Sequence, residues 1–495
     1  MADVALAPRP SSTAAQTQDD LPRGTSVVAA SLLAAAAVLA LIIADGSSTI
    51  DVRLTALSLS LLGASCLPLV SGRAGVRRAL RDFRLGSWFV VWYTVGFGVL
   101  SLLREPALTV SNAQIATDSL IRGLQLAGFG LVAWTIGYLV TVRTFSVGRA
   151  QRNRPPSMNI IALLFACGLL GHLLAALSGR FGYVGDAAGR VATPAVTGQL
   201  VDVLTSAGTF ALVLLAINFV IRRTGRARTL LLLALSEEVT VGLLTGMKSE
   251  FILTLFAITP VLAIGTNRFP TRILTGGAAL LLLLVFPFVT TYRETVRAGS
   301  TELGPQQAFE RAPALIRDIY TEQGPVEILG TASDSLVQRL GQVPNVAIIV
   351  QKTPSDIPYK SLSEVAGAPA LGFIPRFIWP GKPILDGGYR FNQEYFGMPP
   401  TIYSSAAITP VGDLYRHGGL LVVAFGMAAF GVAARFVDRR LHPRTGLRNA
   451  LYFIPFFVAL INLEIGLVAM LAGLPVLIGI PALIDRWVFG AREAA

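Results

Sequence analysis

The chain has 495 residues, of which 53% are hydrophobic and only 14% charged. Soluble domains carry roughly 25% charged residues, so a water-soluble fold of this size is excluded. Runs of about 20 apolar residues recur, each long enough to cross a hydrocarbon core ~30 Å thick, and they imply an all-α polytopic membrane protein. Forty-one basic and 29 acidic residues leave a net charge of +12, and 37 of the basic residues are arginines. Such an excess fits nucleic acid, anionic lipid, an anionic substrate or membrane orientation. Two cysteines in apolar runs (Cys66, Cys167) and three scattered histidines (His172, His417, His442) exclude a disulfide framework, a CxxC zinc site and an HExxH site.

Residues 1–24 are Ala, Pro, Ser, Thr and Asp without periodicity and read as a disordered tail. The run Val27–Ala44 exceeds a signal-peptide core and reads as the first span. Further spans are expected at 52–71, 85–103, 119–142, 158–177, 199–221, 229–247, 250–266 and 272–291. Three more follow at 411–434, 449–463 and 466–485, for twelve in all, with nine in 25–291 and three in 411–495. Arginines fix the expected orientation: 24 fall at the termini and in alternate loops, against six basic residues in the opposite short loops. Both termini are therefore expected in the cytoplasm of a multi-pass protein of the cell (inner or plasma) membrane. The hydrophilic stretch 292–410 is then external, and nucleic acid is not an expected partner.

That stretch has helical periodicity of its own. Phe309, Leu315, Ile316 and Ile319 form one set, and Leu336, Leu340, Val343 and Val346 another. Ser361-Leu362-Ser363-Glu364 has capping-box form, and its helix should stop before Pro375. A helical external cap over the bundle mouth is expected, and a loop this long usually carries function.

The densest chemistry follows. Pro375, Pro380, Gly381 and Pro383 stiffen a segment from which Arg376, Trp379 and Lys382 project, and Tyr389, Arg390, Glu394 and Tyr395 come next. Asp413, Arg416 and His417 share one helical face at i, i+3 and i+4. Arg293, Glu294 and Arg297 leave the preceding span at the same membrane face, and Lys248 with Glu250 marks a third outward corner. Rigid basic groups beside aromatics and a carboxylate suit a sugar diphosphate, because Arg offers a planar fork to phosphate oxygens and Lys a point charge. A charge-neutralised diphosphate leaves readily, so one carboxylate to deprotonate the attacking hydroxyl suffices; Asp413 or Glu394 can serve, Glu294 less well. The bland alternatives are interfacial arginines bound to lipid phosphate, an Asp413–Arg416 ion pair that caps a helix, and belt aromatics. Glu237 and Glu238, at membrane depth, read as a cation or proton site or as structural partners of Arg122 or a cavity. Gly246-Met247-Lys248-Ser249 is not a P-loop, since Met247 separates the glycine from the lysine.

Phe373-Ile374-Pro375-Arg376 through Trp379-Pro380-Gly381-Lys382-Pro383, then Gly412-Asp413-Leu414-Tyr415-Arg416 and Gly418-Gly419, resemble the O-antigen and exopolysaccharide polymerases of the Wzy type. The resemblance implies a GT-C-like fold and a metal-independent inverting glycosyltransferase without cofactor. It would polymerise polyprenyl-diphosphate-linked oligosaccharide repeat units, with the bilayer and a chain-length regulator as partners. It implies catalytic roles for Arg376, Lys382 and Asp413, and Tyr415 is the tyrosine of the Gly-acidic-x-Tyr segment. Topology and charge extend substrate binding to Arg293, Arg297, Arg390, Arg416, Trp379 and Lys248. A transporter is the rival from another class, disfavoured because only one half holds a long external insertion. A ligase-type single transferase shares donor and fold, whereas the loop Asp45–Asp51 is too small for a polyprenyl-phosphate sugar transferase site. Residues 292–416 contain eleven basic and twelve acidic residues, a net of −1, so the +12 resides in the orienting loops and not around the candidate site.

Overall fold

A computed structural model describes residues 24–43, 48–104, 106–110, 112–141, 154–178, 195–245, 248–285, 287–288, 340–374, 378–379, 382, 387–399 and 405–489, with isolated positions between 310 and 337. Helices α1 (Gly24–Ile43), α2 (Thr49–Ser71), α3 (Leu85–Leu103, with a π turn at Val95–Val99) and α4 (Thr117–Val140) come first. Then follow α5 (Met158–Leu177), α6 (Ala195–Arg222), α7 (Gly225–Thr245), α8 (Lys248–Thr266) and α9 (Thr271–Leu280). The long hydrophilic segment contributes α10 (Val343–Lys352), α11 (Leu362–Phe373) and α12 (Gly387–Phe396). The chain closes with α13 (Pro410–Arg416), α14 (Gly419–Arg440), α15 (Ala450–Ile461), α16 (Leu467–Ala472) and α17 (Leu474–Phe489). The one sheet among the described residues is a two-residue antiparallel pairing, β1 (Thr109–Val110) with β2 (Ala113–Gln114), between α3 and α4.

A helix lies over each expected span, and the protein is an all-α membrane protein. Among the described residues, seven helical segments have the length and apolarity to cross a membrane. They are Thr49–Ala74, Leu85–Leu103, Thr117–Val140, Met158–Leu177, Leu200–Arg222, Gly419–Thr445 and Leu467–Phe489. Shorter apolar helices cover Val27–Leu41, Thr254–Thr266, Thr271–Val285 and Leu447–Ile461. The span expected at 411–434 is two elements. Gly419 adopts a φ of +69°, which glycine takes without strain, and breaks the rod between α13 and α14.

In hydrocarbon, apolar side chains do not drive helices together, so close backbone packing must hold them. Two seams of small residues do so. A Cβ at Gly137 on α4 would strike the Ala428 carbonyl on α14, and one at Gly431 would strike the Trp134 carbonyl. Between α5 and α6, a Cβ at Gly168 would lie 2.6 Å from the Gly208 Cα, and one at Gly171 equally close to the Thr205 nitrogen. Stacked aromatics fill the first seam: Phe89 on Trp134 (centroids 4.2 Å) and Trp134 on Tyr138 (5.3 Å).

Helix α10 is a core element and not a lid. Val343, Val346, Ala347, Ile348 and Ile349 are all fully buried, the Gln342 N–H donates to the Gly96 carbonyl (3.0 Å), and Gly123 of α4 admits Ala347 closely. A helix of ten residues is too short to span a bilayer and suits a buried core helix. Helix α11 starts at Ser361, whose hydroxyl accepts from the Ser363 N–H (3.2 Å), and ends at Phe373, before Pro375. The expected capping box does not form: the Ser361 hydroxyl accepts from the second helical N–H and not the third, and the Glu364 carboxylate lies 3.6 Å from His417 Nε2 instead of closing back on Ser361.

Replacing Gly431 by leucine should overpack the α4–α14 seam and cost roughly 1–3 kcal/mol. A lower melting temperature in detergent is expected, with Gly479→Ala, where a Cβ meets nothing within 4 Å, melting no lower than the parent. Equal melting of Gly431→Leu and the parent would refute this seam.

Candidate functional site

At the end of the bundle where α14 and α16 both begin, a cavity of about 280 Å³ is walled by three cations and three carboxylates. Lys360 and Glu364 come from the start of α11, Arg390 from α12, Asp413 and Arg416 from α13, and Glu464 from the turn between α15 and α16. Gly387, Gly388, Ser405 and Ala406 form the remaining polar rim. Thr409 and Pro410 set α13: the threonine hydroxyl accepts from the Gly412 N–H (3.1 Å), and proline occupies the first turn, where no donor is needed. One turn then places Asp413, Arg416 and His417 together.

Asp413 is buried and committed on both oxygens. Arg416 Nε donates to Oδ1 (2.7 Å), and the Val468 N–H donates to Oδ2 (3.0 Å). The carboxylate thus caps the first turn of α16, a helix 55 residues further along the chain, and holds Arg416 against the cavity. A Cβ at Gly466 would sit 2.7 Å from Oδ2, so glycine is what lets the α16 backbone reach it. His417 is buried, with Nδ1 2.6 Å from the Asp413 carbonyl oxygen. Among the described residues its Nε2 has no hydrogen-bond partner, and the Glu364 carboxylate is the nearest anion at 3.6 Å. Lys360 pairs with Glu394 (2.9 Å), and its N–H donates to the Arg416 carbonyl (2.8 Å).

Of the residues expected at the site, Asp413, Arg416 and Arg390 converge on this cavity. Lys382 does not reach it: its Nζ donates to the Ile374 carbonyl (3.0 Å) and caps the end of α11. Trp379 is 40% exposed. Tyr415 turns to the far side of α13 against Tyr359 (centroids 6.4 Å), and burial, followed by the neighbouring Tyr359, pushes its phenol above the ordinary value. Burial likewise raises Tyr395, which is hydrogen-bonded to Thr353 (2.7 Å), so both phenols stay neutral at physiological pH. Arg376, Arg293, Arg297 and Glu294 lie outside the described residues; Lys248 opens α8, but its side chain and that of Glu250 are likewise outside them. Glu237 pairs with His172 (3.0 Å) between α7 and α5, whereas Arg122 lies beside Asp118 (3.6 Å), so the arginine considered for the membrane carboxylates is engaged elsewhere.

Glu364 and Glu464 are the carboxylates the sequence did not single out. Glu364 was read only as part of a helix start, and Glu464 sits alone between two apolar runs, where an ionisable residue is itself a signal. A second cavity of about 560 Å³ shares Ser405 and Ala406 with the first and is lined by Ser101, Arg104, Thr109, Asn345 and Asn392. The two chambers flank α12: one is charged, the other is chiefly neutral and hydrogen-bonding.

Asp413→Ala leaves a buried guanidinium without its anion, and Arg416→Ala leaves the converse, each costing roughly 3 kcal/mol or more. The double variant should melt no lower than the worse single variant, and Asp413→Asn, which still accepts from Val468, should melt above Asp413→Ala. Additive losses in this cycle would mean that the two residues do not act as a unit.

Residues 158–443, more than half of the chain, match the family described as Domain of unknown function (DUF8712). No curated protein and no solved structure matches the chain. The match runs from Met158 at the start of α5 to Pro443 just beyond α14 and takes in every charged wall of the cavity except Glu464. The chain belongs to the DUF8712 family.

Proposed function

We propose that the protein is a membrane glycosyltransferase that polymerises polyprenyl-diphosphate-linked oligosaccharide repeat units, with no metal or cofactor. The observation that carries this reading is the convergence of Arg390, Arg416 and Lys360 with Glu364, Asp413 and Glu464 on one cavity at the ends of apolar helices. A lipid-linked anion needs such a place: cations for its phosphates, at the depth where its tail leaves the headgroup. Arg416, its Nε fixed by Asp413, presents its remaining N–H groups as a preorganised donor, and Arg390 on the rim adds a second. Both offset the charge that builds on the diphosphate as the glycosidic C–O bond breaks.

The attacking sugar hydroxyl must lose a proton. Asp413, with each oxygen already accepting, is better suited to positioning Arg416 than to proton transfer. Glu364, whose side chain is 55% exposed, is the better base, and His417 stands behind it. The proton passes to the Glu364 carboxylate, the hydroxyl oxygen bonds to the anomeric carbon from the face opposite the leaving group, and the diphosphate departs with the bonding pair. The chiefly neutral chamber beside α12 has the volume and amide lining for sugar residues. Cytoplasmic termini, twelve spans and a 292–410 segment that enters the bundle from the external side complete the proposed arrangement.

Purified protein in vesicles, given a lipid-diphosphate oligosaccharide, should yield a ladder of products. Arg390→Ala and Arg416→Ala should each slow the ladder about 100-fold, the usual cost of one charge-stabilising donor. Glu364→Gln should slow it by roughly 100-fold or more, as for a lost general base. A single addition would identify a ligase-type transferase, and solute flux without transfer would identify a carrier; either result overturns polymerisation.

A further inference from the structure

The outer face of α11 has the wrong polarity for water. Leu362, Ala366, Ala370 and Phe373 form its exposed stripe, whereas small residues, Ala368 and Gly372, face inward. Its polar residues, Ser361, Ser363 and Glu364, are confined to the first turn beside the charged cavity. The apolar exposure continues from the last residue of the helix onward: Phe373 and Ile378 are each 65% exposed, and Ile374 and Trp379 are exposed as well. A helix washed by solvent shows the opposite pattern, a polar exterior over an apolar interior.

The neighbours of α11 fix its depth. Lys360 and Glu364 sit beside Arg416 and His417 at the mouth, where the segments Gly419–Thr445 and Leu467–Phe489 begin. At its other end, a Cβ on Gly372 would strike the Ala472 carbonyl and lie 2.9 Å from the Pro475 ring. Ala472 and Pro475 are five and eight residues past Leu467, so α11 descends alongside α16 by about 8–12 Å at 1.5 Å per residue. The segment Leu467–Phe489, against which α11 packs, itself exposes Val476, Ile478, Leu483 and Trp487, as a lipid-facing helix does.

We infer that α11 and the described residues just past it form a re-entrant element seated in one leaflet, with Phe373, Ile374, Ile378 and Trp379 covered by lipid acyl chains. Twelve residues are too few to cross and suit a re-entrant or interfacial segment. At its tip, Lys382 Nζ on the Ile374 carbonyl supplies a donor to a helix-end carbonyl that lipid cannot satisfy. The charged cavity lies at the top of the α11–α16 seam, so a lipid-linked ligand reaches it sideways, with its tail still in the bilayer. The embedding stands whether or not the protein transfers sugars.

The test places single cysteines at Phe373, Ile378 and Ser363 in a chain whose native Cys66 and Cys167 are replaced by alanine, labels each with an environment-sensitive fluorophore, and reconstitutes the protein in phosphatidylcholine vesicles. Labels at 373 and 378 should be strongly quenched by lipids with a nitroxide on the upper acyl chain and not by aqueous iodide; the label at 363 should show the reverse. Quenching of 373 and 378 by iodide overturns the inference, as does protection from both quenchers, which would mean that protein covers the surface. Unlabelled protein provides a check that does not depend on cysteine variants. Brominated lipid should quench the fluorescence difference between the parent and Trp379→Phe, and an unquenched difference counts against the embedding.

Discussion

The structure depends on the close approach of α4 and α14. Glycines at 137 and 431 let the two backbones touch, and α14 carries an aspartate near its far end, Asp438, while another, Asp413, stands just before its start. Each aspartate caps a different helix. Asp413 accepts from the first turn of α16, and Asp438 accepts from the Leu85 and Gly86 N–H groups (2.7 and 2.9 Å) at the start of α3 and from the Tyr138 hydroxyl (2.7 Å). The two anchor points therefore lie towards opposite ends of α14, a helix of 22 residues and about 33 Å, and at each of them helix N–H groups left without partners in the helix are satisfied. Away from water each such group is expensive, so these carboxylates do more than their small number suggests.

The same geometry changes the meaning of the arginines. At the Asp438 end, Arg444 pairs with Asp82 (2.5 Å), Arg448 grips Asp485 with two nitrogens, and Arg435 lies 5.0 Å over the Tyr138 ring. Arginines that the positive-inside pattern uses as orientation markers thus also serve as structural partners. At the opposite end the balance differs: cations and carboxylates face a cavity instead of one another alone, and Arg416 is held in place while still lining open volume. A fixed donor beside free space is what the proposed binding role requires and a structural ion pair does not.

Local pattern made much of this legible. Apolar runs placed a helix over each expected span, Ser361 marked a helix start, and the i, i+3 spacing put Arg416 on Asp413. What stayed hidden was contact at long range. No local signal tells that Asp413 caps a helix 55 residues away or that Glu364 abandons its own helix end for His417. The segment that holds α10 is polar on average and so suggests an external cap, yet five buried apolar residues of α10 fill the core beside α4. The resemblance implied a catalytic Lys382, and no local pattern tells that its ammonium donates to the Ile374 carbonyl at the end of α11.

The central claim is that the cavity between α11, α13 and α16 receives a lipid-linked diphosphate from the membrane side. Photo-crosslinking tests it most directly, with a polyprenyl-diphosphate analogue that carries a diazirine on its first isoprene unit, followed by peptide mapping of the labelled protein. Adducts on residues 361–374 and 464–475, suppressed by unlabelled polyprenyl diphosphate and absent in Arg416→Ala, are the predicted result. Specific adducts elsewhere, such as the α5–α7 groove beside His172 and Glu237, or no competable labelling, would contradict it.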